Sequence, residues 1–308
     1  MEAPLSFWFG FNLAVVVLLA LDLTLLGRRP RAPSLAESVV TTLVWIALAL
    51  GFGVWIGGRA GWDKGSEFFT GYVIEYSLSV DNLFLFVLIF SNFQVTPVQQ
   101  RRLLFWGVIG ALLLRGAMIG AGGALLSRFD WLTYLFGAYI VCVGITMLRH
   151  QPARDIEKMR IVRAARQIVP LARGDHGGRF MVREKGHLRF TLLFLVLIVI
   201  ELTDLVFALD SIPAIFGVTR DTFIVYTSNV CAVLGLRSLY FVLAGLVRSL
   251  IYLHFGLACI LIFIGAKMLG EHVLPVPTSI SLLIVAAILA IAIAASLAKT
   301  GARPYSNR

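Results

Sequence analysis

Apolar runs long enough to cross a bilayer recur along the whole of this 308-residue chain. A helix needs about 20 such residues to span roughly 30 Å of hydrocarbon. Nine runs are legible: Phe7–Leu26, Val39–Ile56, Phe68–Phe93, Leu103–Leu126, Trp131–Leu148, Thr191–Phe216, Phe223–Leu246, Leu253–Leu269 and Ile280–Leu297. They lack the period-two alternation of membrane strands. The sequence therefore predicts an all-α polytopic membrane protein with about nine transmembrane helices. Composition agrees, because charged residues make up 14% of the chain against about 25% in soluble domains.

Two of the runs contain acids. The third reads GYVIEYSLSVDNLFLFVLIF, with Glu75, Asp81 and Asn82. The sixth reads LIVIELTDLVFALDSIPAIF, with Glu201, Asp204, Asp210 and Ser211. A charge at the bilayer centre costs about 2.5–3.5 kcal/mol on insertion scales. Five acids without a function would be a heavy load, so these segments are expected to build a polar site inside the membrane. Arg115, Arg237 and Lys267 also lie within runs and are expected to pair with the acids. Asp22, a sixth intramembrane acid, lies in the first run.

The net charge of +10 raises the question of a nucleic-acid partner. Its distribution answers against one. With an external N-terminus and nine spans, 20 of the 27 Lys and Arg fall on the cytoplasmic side and four on the other; the remaining three lie within spans. That is the positive-inside pattern. The segment Arg149–Arg189 holds 11 of the basic residues. Its stretch DIEKMRIVRAARQIVPLA is expected to act as a solvated connector or as an amphipathic helix on anionic lipid headgroups. Glu2 before the first run, and that run's length, argue against a cleavable signal. Cys142, Cys231 and Cys259 are odd in number and unpaired in spacing, which argues against a disulfide framework or a zinc site.

The two acidic runs resemble each other. Ser79-Val80-Asp81-Asn82 aligns with Ala208-Leu209-Asp210-Ser211, and Glu75 then falls on Asp204. Each is followed by a run with an arginine, Arg115 or Arg237. A third run follows with Phe-Gly and then Gly-x-x-Met-Leu, at Phe136-Gly137 and Gly144–Leu148, and at Phe255-Gly256 and Gly265–Leu269. An odd number of spans reverses orientation, so these units are expected to be inverted three-helix repeats with a site between them near the midplane. The chain then divides into two N-terminal helices (1–67), a first repeat (68–149), a basic cytoplasmic loop (150–189), a second repeat (190–270) and a last helix with its tail (271–308).

Asp81 and Asp210, each followed by a neutral oxygen donor, are the strongest candidate ligands. Positions six apart differ by about 120° on a helix, so Glu75 and Asp81 do not share a stripe, nor do Asp204 and Asp210. Either the helices cross around the site or one is broken, and Pro213 favours a break in the sixth run. The oxygen-rich donor set suits a hard divalent cation. All five histidines lie in loops or near run ends, which disfavours zinc or copper. Met147 and Met268 correspond across the units and are expected to pack in the core.

At these residues the chain becomes similar to a known family. EYSLSVDNLFLF, ELTDLVFALDSIPAIF, TSNVCAVLGLRSLYF and FGLACILIFIGAKML resemble the TerC/Alx family of bacterial integral membrane proteins, and the long loop is closest to the Alx-like branch. The resemblance implies manganese export and metal homeostasis in the bacterial inner membrane, with tellurium resistance in some members. It also implies that the acids of both motifs matter. The expected function is divalent cation transport with Mn²⁺ as substrate and no organic cofactor. A membrane scaffold for a metal-stress or tellurium-resistance complex is the alternative. An intramembrane protease is disfavoured by the lack of a GxGD-type motif. The charge bias makes a topology prediction: a reporter fused at Arg173 reads cytoplasmic, and one fused at the N-terminus reads external.

Overall fold

The computed structural model describes residues 4–25, 33–129, 131–149, 178–184, 187–246, 252–270 and 276–301. Among the described residues are nine helices long and apolar enough to cross a membrane. They are α1 (Leu5–Leu25), α2 (Leu35–Ala60), α3 (Trp62–Asn92), α4 (Pro97–Arg128), α5 (Leu132–Arg149), α6 (Leu192–Phe216), α7 (Thr222–Leu246), α8 (Leu253–Gly270) and α9 (Thr278–Gly301).

Several helices start well before the apolar runs do, because capping chemistry sets their ends. Ser34 caps α2, accepting from Glu37 N at 3.2 Å, while Glu37 Oε2 accepts from Ser34 N at 2.9 Å. This reciprocal box satisfies two amides that the helix leaves open. Pro97 opens α4, and Gln99 Oε1 accepts from Thr96 N at 3.0 Å. A proline in the first turn gives up no internal hydrogen bond. Gly61 alone separates α2 from α3, at φ +96°. An L side chain rarely adopts that conformation, so glycine makes this one-residue reversal possible.

The principal packing partner of α5 is α8, of α3 is α7, and of α4 is α6. The α5–α8 seam is close because it is made of glycines. A Cβ on Gly265 would stand 2.7 Å from the carbonyl oxygen of Gly137, and one on Gly144 would stand 2.9 Å from that of Ala258. These pairings run in opposite chain directions, so the two helices are antiparallel. Small residues let membrane helices approach to backbone contact, where dispersion and weak polar contacts hold them. α7 is the most enclosed helix, and α1 and α9 are the least. Phe9, Leu13 and Val16 on α1, and Leu283 and Ile291 on α9, are exposed apolar residues that fit a lipid-facing surface.

α1 is held by an aromatic cluster and two polar ties. Trp8 packs edge-on to Phe223, and Tyr226 Oη donates to Asn12 Oδ1 at 2.6 Å. Asp22 pairs with Arg237 of α7, with side chains only 10% and 11% exposed. This charge pair joins α1 to α7.

Two expectations are corrected here. α6 is not broken at Pro213: the helix continues to Phe216, and Gly217 N donates to Pro213 O at 3.0 Å. Proline's missing amide falls in the last turn, where only a few residues follow, so it shapes the helix end. The second correction is a β-hairpin in the basic loop. β1 (Met181–Glu184) pairs antiparallel with β2 (His187–Phe190), in a register that sets Val182 against Arg189 and Arg183 against Leu188. It docks under the start of α4, where Arg102 donates to Gly178 O at 2.7 Å and lies 4.8 Å from the Phe180 ring centroid. The stretch expected to form an amphipathic helix, 155–172, lies outside the described residues.

Two stability predictions follow from this packing. Gly265→Leu forces a side chain against the α5 backbone, and overpacking of this kind costs about 1–3 kcal/mol; the expected outcome is a lower unfolding temperature in detergent. Asp22→Asn leaves Arg237 unpaired and destabilises, and adding Arg237→Gln recovers part of the loss. A double-mutant cycle on thermal unfolding should give a coupling of about 1–3 kcal/mol; a coupling near zero would mean that the pair is not formed.

Candidate functional site

Three helices meet around one guanidinium at mid-depth. Asp204 is the middle residue of α6, and Glu75 and Arg115 lie within three residues of the midpoints of α3 and α4. Arg115 is 1% exposed and is the largest side chain so fully enclosed. Its Nε donates to Asp204 Oδ2 at 2.9 Å and its Nη2 to Asp204 Oδ1 at 2.8 Å. Its Nη1 donates to Glu75 Oε1. The fork geometry of arginine matches a carboxylate in this two-point way, which a lysine ammonium does not. Arg115 thus takes both oxygens of Asp204 and one oxygen of Glu75. Ser79 Oγ, one turn on from Glu75, donates to the same Oε1 at 3.2 Å. Glu75 Oε2 is buried with no hydrogen-bond partner among the described residues.

Glu201 sits one turn before Asp204 on the same stripe of α6. Gly107 and Gly110 of α4 make room for it; a Cβ on Gly110 would collide with its carboxylate. Its Oε2 is also buried and without a partner among the described residues. The knot therefore gathers Glu75, Asp204 and Arg115, with Glu201 beside it. The expected pairing of Arg115 with the acids is present. Arg237 instead pairs with Asp22, away from the knot.

The other expected ligands are spread along the helices. Asp210 faces α5, where Tyr139 Oη donates to its Oδ1 at 2.7 Å. Ser211 is buried with an unpartnered Oγ, and Asn82 is buried. Asp81 belongs to α3, and its side chain lies outside the described residues. The six-residue spacing does place Asp204 and Asp210 on different faces, one meeting Arg115 and the other Tyr139. No group of three or more His, Cys, Asp or Glu side chains among the described residues is arranged to hold a metal ion. Asn229 lies on α7. It is completely buried, and neither Oδ1 nor Nδ2 has a partner among the described residues.

A vestibule of about 870 Å³ opens at one end of the bundle, lined by Lys64, Glu67, Thr219, Arg220, Asp221 and Lys267 among others. Lys64 pairs with Glu67 at 2.7 Å and with Asp221 at 3.8 Å. Thr219 Oγ1 donates to Glu67 Oε2. Sequence reading missed this network, because its members sit at helix ends where charge is unremarkable. It also missed Tyr139, which only tertiary packing brings to Asp210. Ser79 was legible, since it stands four residues from Glu75 and i,i+4 side chains meet on a helix. Chemically, the knot is a set of oxygen ligands held in a dry bundle around an internal cation.

Residues 60–303 match the Integral membrane protein TerC family. The chain is 42% identical over 301 residues to membrane protein STKORF319 of Myxococcus xanthus, covering 97% of this chain and 94% of that one. It is 44% identical over 292 residues to Alx of Escherichia coli strain K12, whose name proposes a membrane-bound redox modulator, covering 92% and 91%. A membrane protein of Rickettsia felis is 37% identical over 291 residues, covering 94% and 97%. No solved structure matches the chain. A family match over most of the sequence, with relatives of this identity along nearly their full lengths, makes the chain a member of the TerC family of integral membrane proteins.

Proposed function

We propose that this protein is a divalent cation transporter of the bacterial inner membrane, and that it exports Mn²⁺. The observation that carries this reading is the mid-depth knot, in which Glu75 Oε2 and Glu201 Oε2 are buried and have no partner among the described residues. Ionisable groups inside a membrane bundle mark ion and proton pathways, because packing alone gives no return on their desolvation. Carboxylate, amide and hydroxyl oxygens are ligands for hard divalent cations. Mn²⁺ is larger than Mg²⁺ and tolerates softer donors, while Mg²⁺ sheds its water reluctantly. Glu75, Asp81, Asn82, Glu201, Asp204, Asp210 and Ser211 are the proposed ligand set along the path.

The packing pattern supports two inverted repeats. Exchanging α3 with α6, α4 with α7 and α5 with α8 returns the α5–α8 pair to itself and turns the α3–α7 pair into α4–α6. All three are principal contacts. In inverted-repeat transporters the substrate site lies where corresponding helices meet. The charge bias supports an external vestibule and a cytoplasmic hairpin. The reading is of a transporter rather than an enzyme. A scaffold role in a metal-stress complex is the second reading, favoured by the hairpin, which exposes Met181 and Leu188 at 50% and 61%.

Flux in proteoliposomes tests the proposal. Wild type is expected to move Mn²⁺, and Asp81→Asn and Asp210→Asn are each expected to abolish that flux while the protein still inserts. Equal competition by millimolar Mg²⁺ would remove the selectivity claim. An imposed pH gradient at fixed membrane potential without Na⁺ is expected to change the rate, since export needs a coupled ion and carboxylates carry protons. Wild-type flux from both variants would refute the site.

A further inference from the structure

We propose that Arg115 is a tethered competitor of the substrate: it holds Glu75 while the site is empty and yields that carboxylate to an arriving divalent cation. The inference depends on the transport reading above. The bonding around the guanidinium is unequal. Asp204 receives two parallel hydrogen bonds and has no oxygen left over. Glu75 receives one from Arg115, and its second oxygen has no partner among the described residues. Two-point pairing holds Arg115 to Asp204 more firmly than a single contact holds it to Glu75. The exchangeable bond is therefore the one to Glu75.

Charge counting points the same way. Glu75 and Asp204 set two carboxylates against one guanidinium, with the acid Glu201 beside them. A purely structural ion pair in a dry interior needs its remaining lone pairs satisfied, and here one oxygen on each of Glu75 and Glu201 is unsatisfied. A divalent cation arriving at Glu75 meets its unsatisfied oxygen, while Arg115 stays on Asp204. A monovalent ion offers Glu75 no more charge than Arg115 does already, so the tethered guanidinium selects against Na⁺ and K⁺ without any pocket of matched size. It also couples occupancy to movement. Arg115 projects from α4 to both Glu75 on α3 and Asp204 on α6, so release of Glu75 removes the ionic tie between α3 and α4.

A competitor lowers apparent affinity by the fraction of time it leaves the site open. Removing it should tighten binding and slow release. Mn²⁺ binding to purified full-length protein in detergent, by competition with a fluorescent chelator, is measured beside Mn²⁺ flux in proteoliposomes. Arg115→Gln is expected to bind Mn²⁺ about tenfold tighter or more and to lose flux by a similar factor. Arg115→Lys keeps the charge and guards against misfolding of the neutral variant. It cannot fork onto Asp204 while holding Glu75, so it should shift both quantities the same way by less. Na⁺ should begin to compete in both variants and not in wild type. Folded variants that bind Mn²⁺ no tighter than wild type would overturn the proposal, as would the failure of both variants to fold, which would make Arg115 a structural prop. If wild type itself neither binds nor moves Mn²⁺, the transport reading falls, and this inference falls with it.

Discussion

The contact between Arg115 and the carboxylates of Asp204 and Glu75 constrains everything around it. On insertion scales each charge at mid-membrane costs about 2.5–3.5 kcal/mol. The three acids and one arginine together would then cost roughly 10 kcal/mol if left apart, comparable with the whole net stability of a typical domain, about 5–15 kcal/mol. They must therefore be brought together. Because the groups sit on three different helices, the requirement fixes which helices are neighbours. α4 packs against α6, and the long Arg115 side chain reaches from α4 to Glu75 on α3; glycines supply the clearance. Gly107 and Gly110 let α6 bring Glu201 to α4, and Gly71 lets α3 close on Ile215 and Ser228.

α3 and α6 carry acids in opposite order of depth. On α3 the sequence runs from Glu67 at the vestibule through Glu75 to Asp81. On α6 it runs from Glu201 through Asp204 and Asp210 towards the vestibule at Phe216–Asp221. At 1.5 Å per residue, Glu67 lies about 12 Å from Glu75 along its helix. Asp204 and Asp210 are about 9 Å apart by the same measure. The carboxylates thus form a series through the thickness of the bundle, with Arg115 at its centre, and the vestibule network of Lys64, Glu67 and Asp221 at one end.

Much of this was legible in the sequence, and the parts that were not have a common cause. Apolar runs located the nine spanning helices of the described residues, since hydrocarbon thickness imposes their length. Caps such as Ser34–Glu37 and Thr96–Gln99 moved the starts outward, and their signal lies in polar residues that a hydropathy reading discards. The chemistry of Glu75, Arg115 and Asp204 was visible as charge in the wrong solvent. Their partner choice was not. Arg115 and Arg237 occupy corresponding positions and look equivalent, yet one meets Asp204 and the other meets Asp22 on a helix outside the repeats. Asn229 shows the reverse case. A buried amide in a helix bundle is normally explained by a hydrogen bond, and its two unpartnered atoms appear only when the neighbours are placed. Pro213 failed as a marker of a break because a proline's effect depends on how much helix follows it.

Two of the contacts between the segments α3–α5 and α6–α8 are physically different. Across the α5–α8 seam, backbone meets backbone at Gly137, Gly144 and Gly265. Such a seam holds by dispersion and shape, falls off steeply with separation, and is indifferent to the ionic state of the site. Across α3, α4 and α6 the join includes a guanidinium between carboxylates, a contact held by charge. Under the proposed exchange, a change of ion occupancy would leave the first join in place and loosen the second. A bundle built this way has a fixed edge and a responsive centre. The responsive contact sits at mid-depth, where either side of the membrane is about equally far away.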